Sequence, residues 1–64
     1  MKGYVWKVRV ALRHKDTFKE VSTQVEVWTE QEDAHEALLI GLQVACTHRE
    51  GWMPIDGRIV SVVL

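Results

Sequence analysis

The residues best suited to chemistry are one cysteine, Cys46, and three histidines, His14, His35 and His48. Cys46 and His48 stand in the stretch HEALLIGLQVACTHREGW, with His35 at its head. A thiol and imidazoles in one segment are the raw material of a zinc site or of an activated nucleophile. The spacing opposes zinc. On a helix, Cys46 and His48 point about 200° apart. His35 comes within about 20° of Cys46 in azimuth but lies about three turns away along the axis. Zinc needs ligands that converge at bonding distance, and His14 belongs to a separate turn. Position opposes the nucleophile as well. A reactive thiolate is favoured by a helix N-terminus, a cation or a base. Cys46 is expected near a helix C-terminus, where the dipole disfavours negative charge. The chain contains no G-x-S-x-G and no glycine-rich phosphate loop, and no carboxylates pair in a cleft. The expectation is a protein that is not an enzyme and holds no cofactor or metal.

Size and charge narrow the classes further. Sixty-four residues, 1–64, make a single domain. A chain this short buries only about 60% of the surface its unfolded form exposes. A core of that size supplies about 3–5 kcal/mol, so such domains often need a staple. A lone cysteine excludes an intrachain disulfide and suits a reducing, cytoplasmic compartment. A net charge of -1 argues against a strongly basic nucleic-acid binder. No secretory leader and no membrane-length apolar run are evident.

The elements that position these residues follow from periodicity. Tyr4 to Leu12, YVWKVRVAL, alternates with period two, placing Tyr4, Trp6, Val8, Val10 and Leu12 on one face. RHKDTFK then reads as a polar hairpin connection. Glu20 to Trp28, EVSTQVEVW, is a second alternating strand. TEQED announces a helix, with Thr29 as cap and Glu32 completing a capping box. The helix is expected to reach about Arg49 and to stop at Gly51. GWMPIDG reads as a loop, and RIVSVVL as a third strand. The order ββαβ, closed by a right-handed crossover, predicts an α+β fold: a three-stranded antiparallel sheet of order 2-1-3 with one helix on one face.

The helix carries more apolar surface than one sheet face can hide. Ala34, Leu38, Gly41 and Ala45 form a narrow stripe, flanked by Ala37, Leu42, Val44 and His48. Leu39, Leu42 and Cys46 make a second stripe, and Ile40 lies on the other flank. A sheet-facing arc is a little over 100° wide, and this one is near twice that. The third strand shows the same surplus, with Ile59 and Val63 facing one way and Val60, Val62 and Leu64 the other. An apolar edge strand is a liability unless it is paired. Leu39, Ile40, Cys46, Ile59, Val60 and Val62 are therefore the expected interface of a homodimer, or of a complex with an obligate hetero-partner. The alternative is that the GWMPI segment folds over the helix flank.

The non-helix face of the sheet is the expected partner-binding surface. Trp and Arg dominate binding energy at interfaces, and Arg9, Glu26 and Trp28 share this face, with Trp52 and Met53 as further candidates in the loop. The rival reading is a nucleic-acid surface built on Lys7, Arg9, Arg13 and Lys15.

The features VEVWTEQEDAHEALLIG, a strand running into a capped Ala-rich helix, and the abrupt C-terminal strand resemble the small ββαβ proteins encoded by phages and prophages. The order of elements is similar to that of phage inhibitors of uracil-DNA glycosylase and of several small anti-CRISPR proteins. The resemblance covers the whole chain as architecture, without a shared motif. It implies a protein whose work is to bind and block a host protein.

Overall fold

The computed structural model describes residues 3–63. Strand β1 (Tyr4–His14), strand β2 (Glu20–Thr29), helix α1 (Ala34–Cys46) and strand β3 (Trp52–Val63) follow one another in the chain. β1 pairs antiparallel with both neighbours, giving the sheet order β2-β1-β3. The fold is thus α+β and ββαβ, as the two alternating runs and the amphipathic helix predict. Alternation along β1 is strict: Trp6, Val8, Val10 and Leu12 are buried, while Val5, Lys7, Arg9 and Arg13 are exposed. Burying each large side chain is worth roughly 1.5–3 kcal/mol.

Helix α1 meets this face through small residues. Its buried positions are Ala37, Gly41 and Ala45, spaced four apart on one stripe. A Cβ on Gly41 would sit 2.8 Å from Val8 Cγ1 and 2.9 Å from Val8 Cβ. The stripe is therefore rotated from the one expected: Gly41 lies at its centre, Ala37 belongs to it, and Ala34 is exposed. Leu38 and Leu42 lean toward β3, where both side chains lie within 3.2 Å of the position a Cβ on Gly57 would take.

Both helix ends differ from expectation. The N-cap is Asp33, whose Oδ1 accepts from the Glu36 N–H at 3.0 Å. Thr29 instead closes β2. Its hydroxyl accepts from Trp6 Nε1 at 2.8 Å and donates to the Gln31 carbonyl at 2.6 Å. A buried indole N–H needs a partner, and Thr29, only 2% exposed, supplies it from inside the core. The sheet has claimed the hydroxyl that the capping box would have used. At the other end the helix stops at Cys46 rather than Arg49. The Thr47 N–H donates to the Val44 carbonyl, and His48 takes a left-handed backbone with φ 62°. Gly51, at φ 86°, completes the reversal into β3.

The segment expected as a loop is strand. Trp52, Met53 and Pro54 pair with His14, Arg13 and Leu12. Pro54 is tolerated because β3 is an edge strand. Two register shifts fall between Lys7 and Val8 and between Ala11 and Leu12, leaving Val60 and Ile55 as the unpaired extra residues of β3. The bulge at Val60 changes which side chains face the helix. Without it Ser61 would lie opposite Trp6; with it Val62 does, and Ser61 moves beside Lys7 on the other face. Ile59 and Val62 therefore share a face and Val63 takes the opposite one, unlike simple alternation. Leu64 lies outside the described residues.

Alanine normally stabilises a helix by about 1 kcal/mol over glycine. At position 41 the sign should reverse. Gly41→Ala is expected to lower stability by about 1–2 kcal/mol through overpacking, measured by urea unfolding. A double-mutant cycle with Val8→Ala should show favourable coupling. A stabilised Gly41→Ala protein would mean that the helix does not sit this close.

Candidate interaction surface

Among the described residues nothing covers the sheet face away from α1, and its register defines a layout. Across β2, β1 and β3 the rows run Trp28–Val5–Val63, Glu26–Lys7–Ser61, Gln24–Arg9–Arg58, Ser22–Ala11–Asp56 and Glu20–Arg13–Met53. One end of the face is apolar and its middle is charged.

Trp28 anchors the apolar end. It is 49% exposed, yet its indole rests directly against the Gly3 backbone. A Cβ on Gly3 would fall 2.5 Å from Trp28 Cε2. The ring is thus seated by contact with a residue that only glycine can fill, and its outer side remains free. Val5 and Val63 beside it are also exposed.

Arg9, Glu26 and Trp28 do lie on this one face, as expected. Arg9 is two rows from Trp28, about 13 Å along the strand at about 3.3 Å per residue. Trp52 and Met53 are separated by the pleat. Met53 belongs to the open face opposite Arg13, whereas Trp52 is half-buried, with its ring edge-on to His14 at 5.1 Å between centroids. Trp52 is not part of the open face; it packs against the core on the helix side of the sheet.

The cations of the nucleic-acid reading are partly spent. Arg13 Nη2 lies 2.8 Å from Glu20 Oε2, and its Nε also donates to that oxygen at 3.2 Å. Lys7 stands opposite Glu26. Lys15 is exposed in the hairpin turn. Arg9 has neither an ion pair nor a side-chain hydrogen bond among the described residues.

The expected dimer residues are split between surfaces. Ile40 is half-buried against the core. It lies on the helix flank about 160° from that of Leu42, which faces β3. Cys46 is half-buried, about 40° from Leu42 in azimuth. Leu39, 50% exposed, points outward, and Val60, 46% exposed, sits in its bulge. Ile59 is half-buried on the helix side, and Val62 on the same side is exposed.

The histidines and the cysteine do not meet. His14 Nδ1 accepts from the Asp16 and Thr17 N–H groups at 3.2 and 3.4 Å, and the Lys15 N–H donates to the Gly51 carbonyl at 2.8 Å. His14 ties the hairpin turn to the start of β3. Among the described residues no three His, Cys, Asp or Glu side chains are grouped as a metal would require. Nor is any helix there long and apolar enough to cross a membrane.

Two residues escaped sequence reasoning. Phe18 stands at the hairpin tip, 70% exposed, with φ 59°. An aromatic in the polar run HKDTFK was the available signal. Arg58 faces Arg9 directly across β1 and β3, and only the register reveals that neighbour. Comparison of the chain with protein-family models, with curated proteins and with solved structures finds no match.

The seating of Trp28 has a direct check. Gly3→Ala should displace the indole and shift its Nε1–H NMR resonance, while the buried Trp6 resonance stays in place. An unmoved Trp28 resonance would show that Gly3 does not position the ring.

Proposed function

We propose that the chain is a non-enzymatic protein-binding module that docks on and blocks a host or cognate protein, in the manner of small phage-encoded inhibitors. The observation that carries this reading is Trp28, half-exposed but held in place over Gly3 at the end of an uncovered sheet face. A large aromatic fixed before binding loses little side-chain freedom when it docks. Such residues, with arginine, account for most of the energy at interfaces. The free cysteine suits work in a reducing cytoplasm.

The same reading includes self-association. A second copy is the occupant we assign to the β3 side of the molecule. From Ile59 to Val63 this edge carries no charge, whereas the β2 edge carries Glu20 and Glu26. Leu39 and Val60 add exposed apolar surface, and a core of this size benefits from a partner. The bulges at Ile55 and Val60 interrupt the outer ladder of β3, so side chains rather than a long shared ladder would make the contact. Light scattering is expected to give twice the 7.4 kDa chain mass, falling to one chain in Leu39→Glu/Val60→Glu. A wild-type protein that stays at one chain mass would remove self-association from the reading.

Affinity capture tests the main claim. Tagged wild type is expected to retain one stoichiometric protein from lysate of its natural host through nuclease treatment. Trp28→Ala, folded as judged by its NMR spectrum, should lose at least tenfold in retention, about 1.4 kcal/mol. Capture that disappears with nuclease would shift the reading to nucleic acid held by Lys7, Arg9, Arg13 and Lys15. Capture indifferent to Trp28→Ala would move the contact off the open face.

A further inference from the structure

The middle of the open face contains a feature that the protein-binding reading does not explain. Arg9 and Arg58 stand directly opposite each other on β1 and β3. Like charges in this position repel and destabilise a sheet. Neither guanidinium has an ion pair or a hydrogen bond from its own side chain among the described residues. The other arginine of this face is treated differently, since Arg13 is held by Glu20. Arg9 and Arg58 instead line an open pocket of about 300 Å³. Ala11, Ser22 and Asp56 complete the lining. The small side chain at position 11, between Ser22 and Asp56 in the register, leaves the space into which two guanidinium groups can turn.

We propose that this pocket binds a carboxylate, and specifically an aspartate or glutamate side chain of an acidic segment on the partner protein. Three observations converge on that ligand. Guanidinium groups offer paired N–H donors whose fork matches a carboxylate. The charge is balanced by a single negative group, because Asp56 offsets one of the two arginines. A phosphate dianion would leave an excess of negative charge beside Asp56. A nucleic-acid backbone would need a track of free cations, yet Arg13 is paired and the chain carries a net charge of -1. The Ser22 hydroxyl adds a donor to the lining. The apolar Trp28 end and the pocket lie on one face, so a segment crossing both would present an apolar residue and an acidic one about 13–20 Å apart, given about 3.3 Å per residue along β1. This proposal rests on the protein-binding reading and gives it a chemical preference.

The test uses the full chain, labelled with ¹⁵N, and follows the arginine Nε–H resonances at constant ionic strength. The probes are a hexaglutamate peptide, inorganic phosphate and a hexathymidylate oligonucleotide. Hexaglutamate should shift the Arg9 and Arg58 signals saturably and leave Arg13 nearly unmoved. Arg9→Gln and Arg58→Gln should each weaken that binding tenfold or more, whereas Arg13→Gln should change it less than twofold. Both sites are exposed, and dispersed spectra will verify that the variants fold. Non-saturating drift with every anion, or tighter binding of phosphate or of hexathymidylate, would overturn the assignment. Its failure is separable from that of the parent reading. Loss of hexaglutamate binding removes the pocket alone, while nuclease-sensitive capture of wild type removes the protein-binding reading itself.

Discussion

The contact between Gly41 and Val8 sets the geometry on which the rest of the molecule depends. A chain of 64 residues has one helix to cover one sheet face. That helix seals Val8, Val10 and Leu12 only if its axis comes close, and a stripe of Ala37, Gly41 and Ala45 makes this possible. Close approach has two consequences. The larger helical residues are pushed to the flanks, where Leu38 and Leu42 settle over Gly57 and Leu39 is left outside. The helix is also fully occupied by one face, so among the described residues the other face of the sheet has no cover. The open surface is thus a result of how a small core is closed.

A second constraint is the buried indole of Trp6. Its N–H must find an acceptor in the interior, and Thr29 provides one at the end of β2. Among the described residues no buried side-chain nitrogen or oxygen lacks a partner. This bond ties β1 to β2 at the point where the chain leaves the sheet for the helix. It also explains why the helix begins at Asp33 and not at the earlier threonine.

Much of the fold was legible because its signals are local. Period-two runs from Tyr4 and from Glu20 specify β1 and β2, and the order of elements specifies the sheet. What was not legible depends on pairs distant in sequence. Thr29 satisfies every local rule for a cap, and only Trp6 diverts it. WMPI looks like a loop because Pro54 and the nearby Asp56-Gly57 are turn residues, but pairing with the tip of β1 holds it as an edge strand. The bulge at Val60 defeats simple alternation in β3, since an inserted residue exchanges faces for everything beyond it. The same holds for the surface. Trp28, Arg9 and Glu26 could be assigned to one face by counting along strands. The juxtaposition of Arg9 with Arg58 required the register between strands distant in the chain.

The proposed function places the partner on the uncovered sheet face. Hydrogen exchange on the free chain and on its complex with the captured partner reads that placement. Added protection is expected in β1 and β2 around Val5, Arg9 and Trp28, with the exposed surface of α1 unchanged. Protection concentrated on α1 around Leu39, with the open face exchanging as in the free protein, would contradict it.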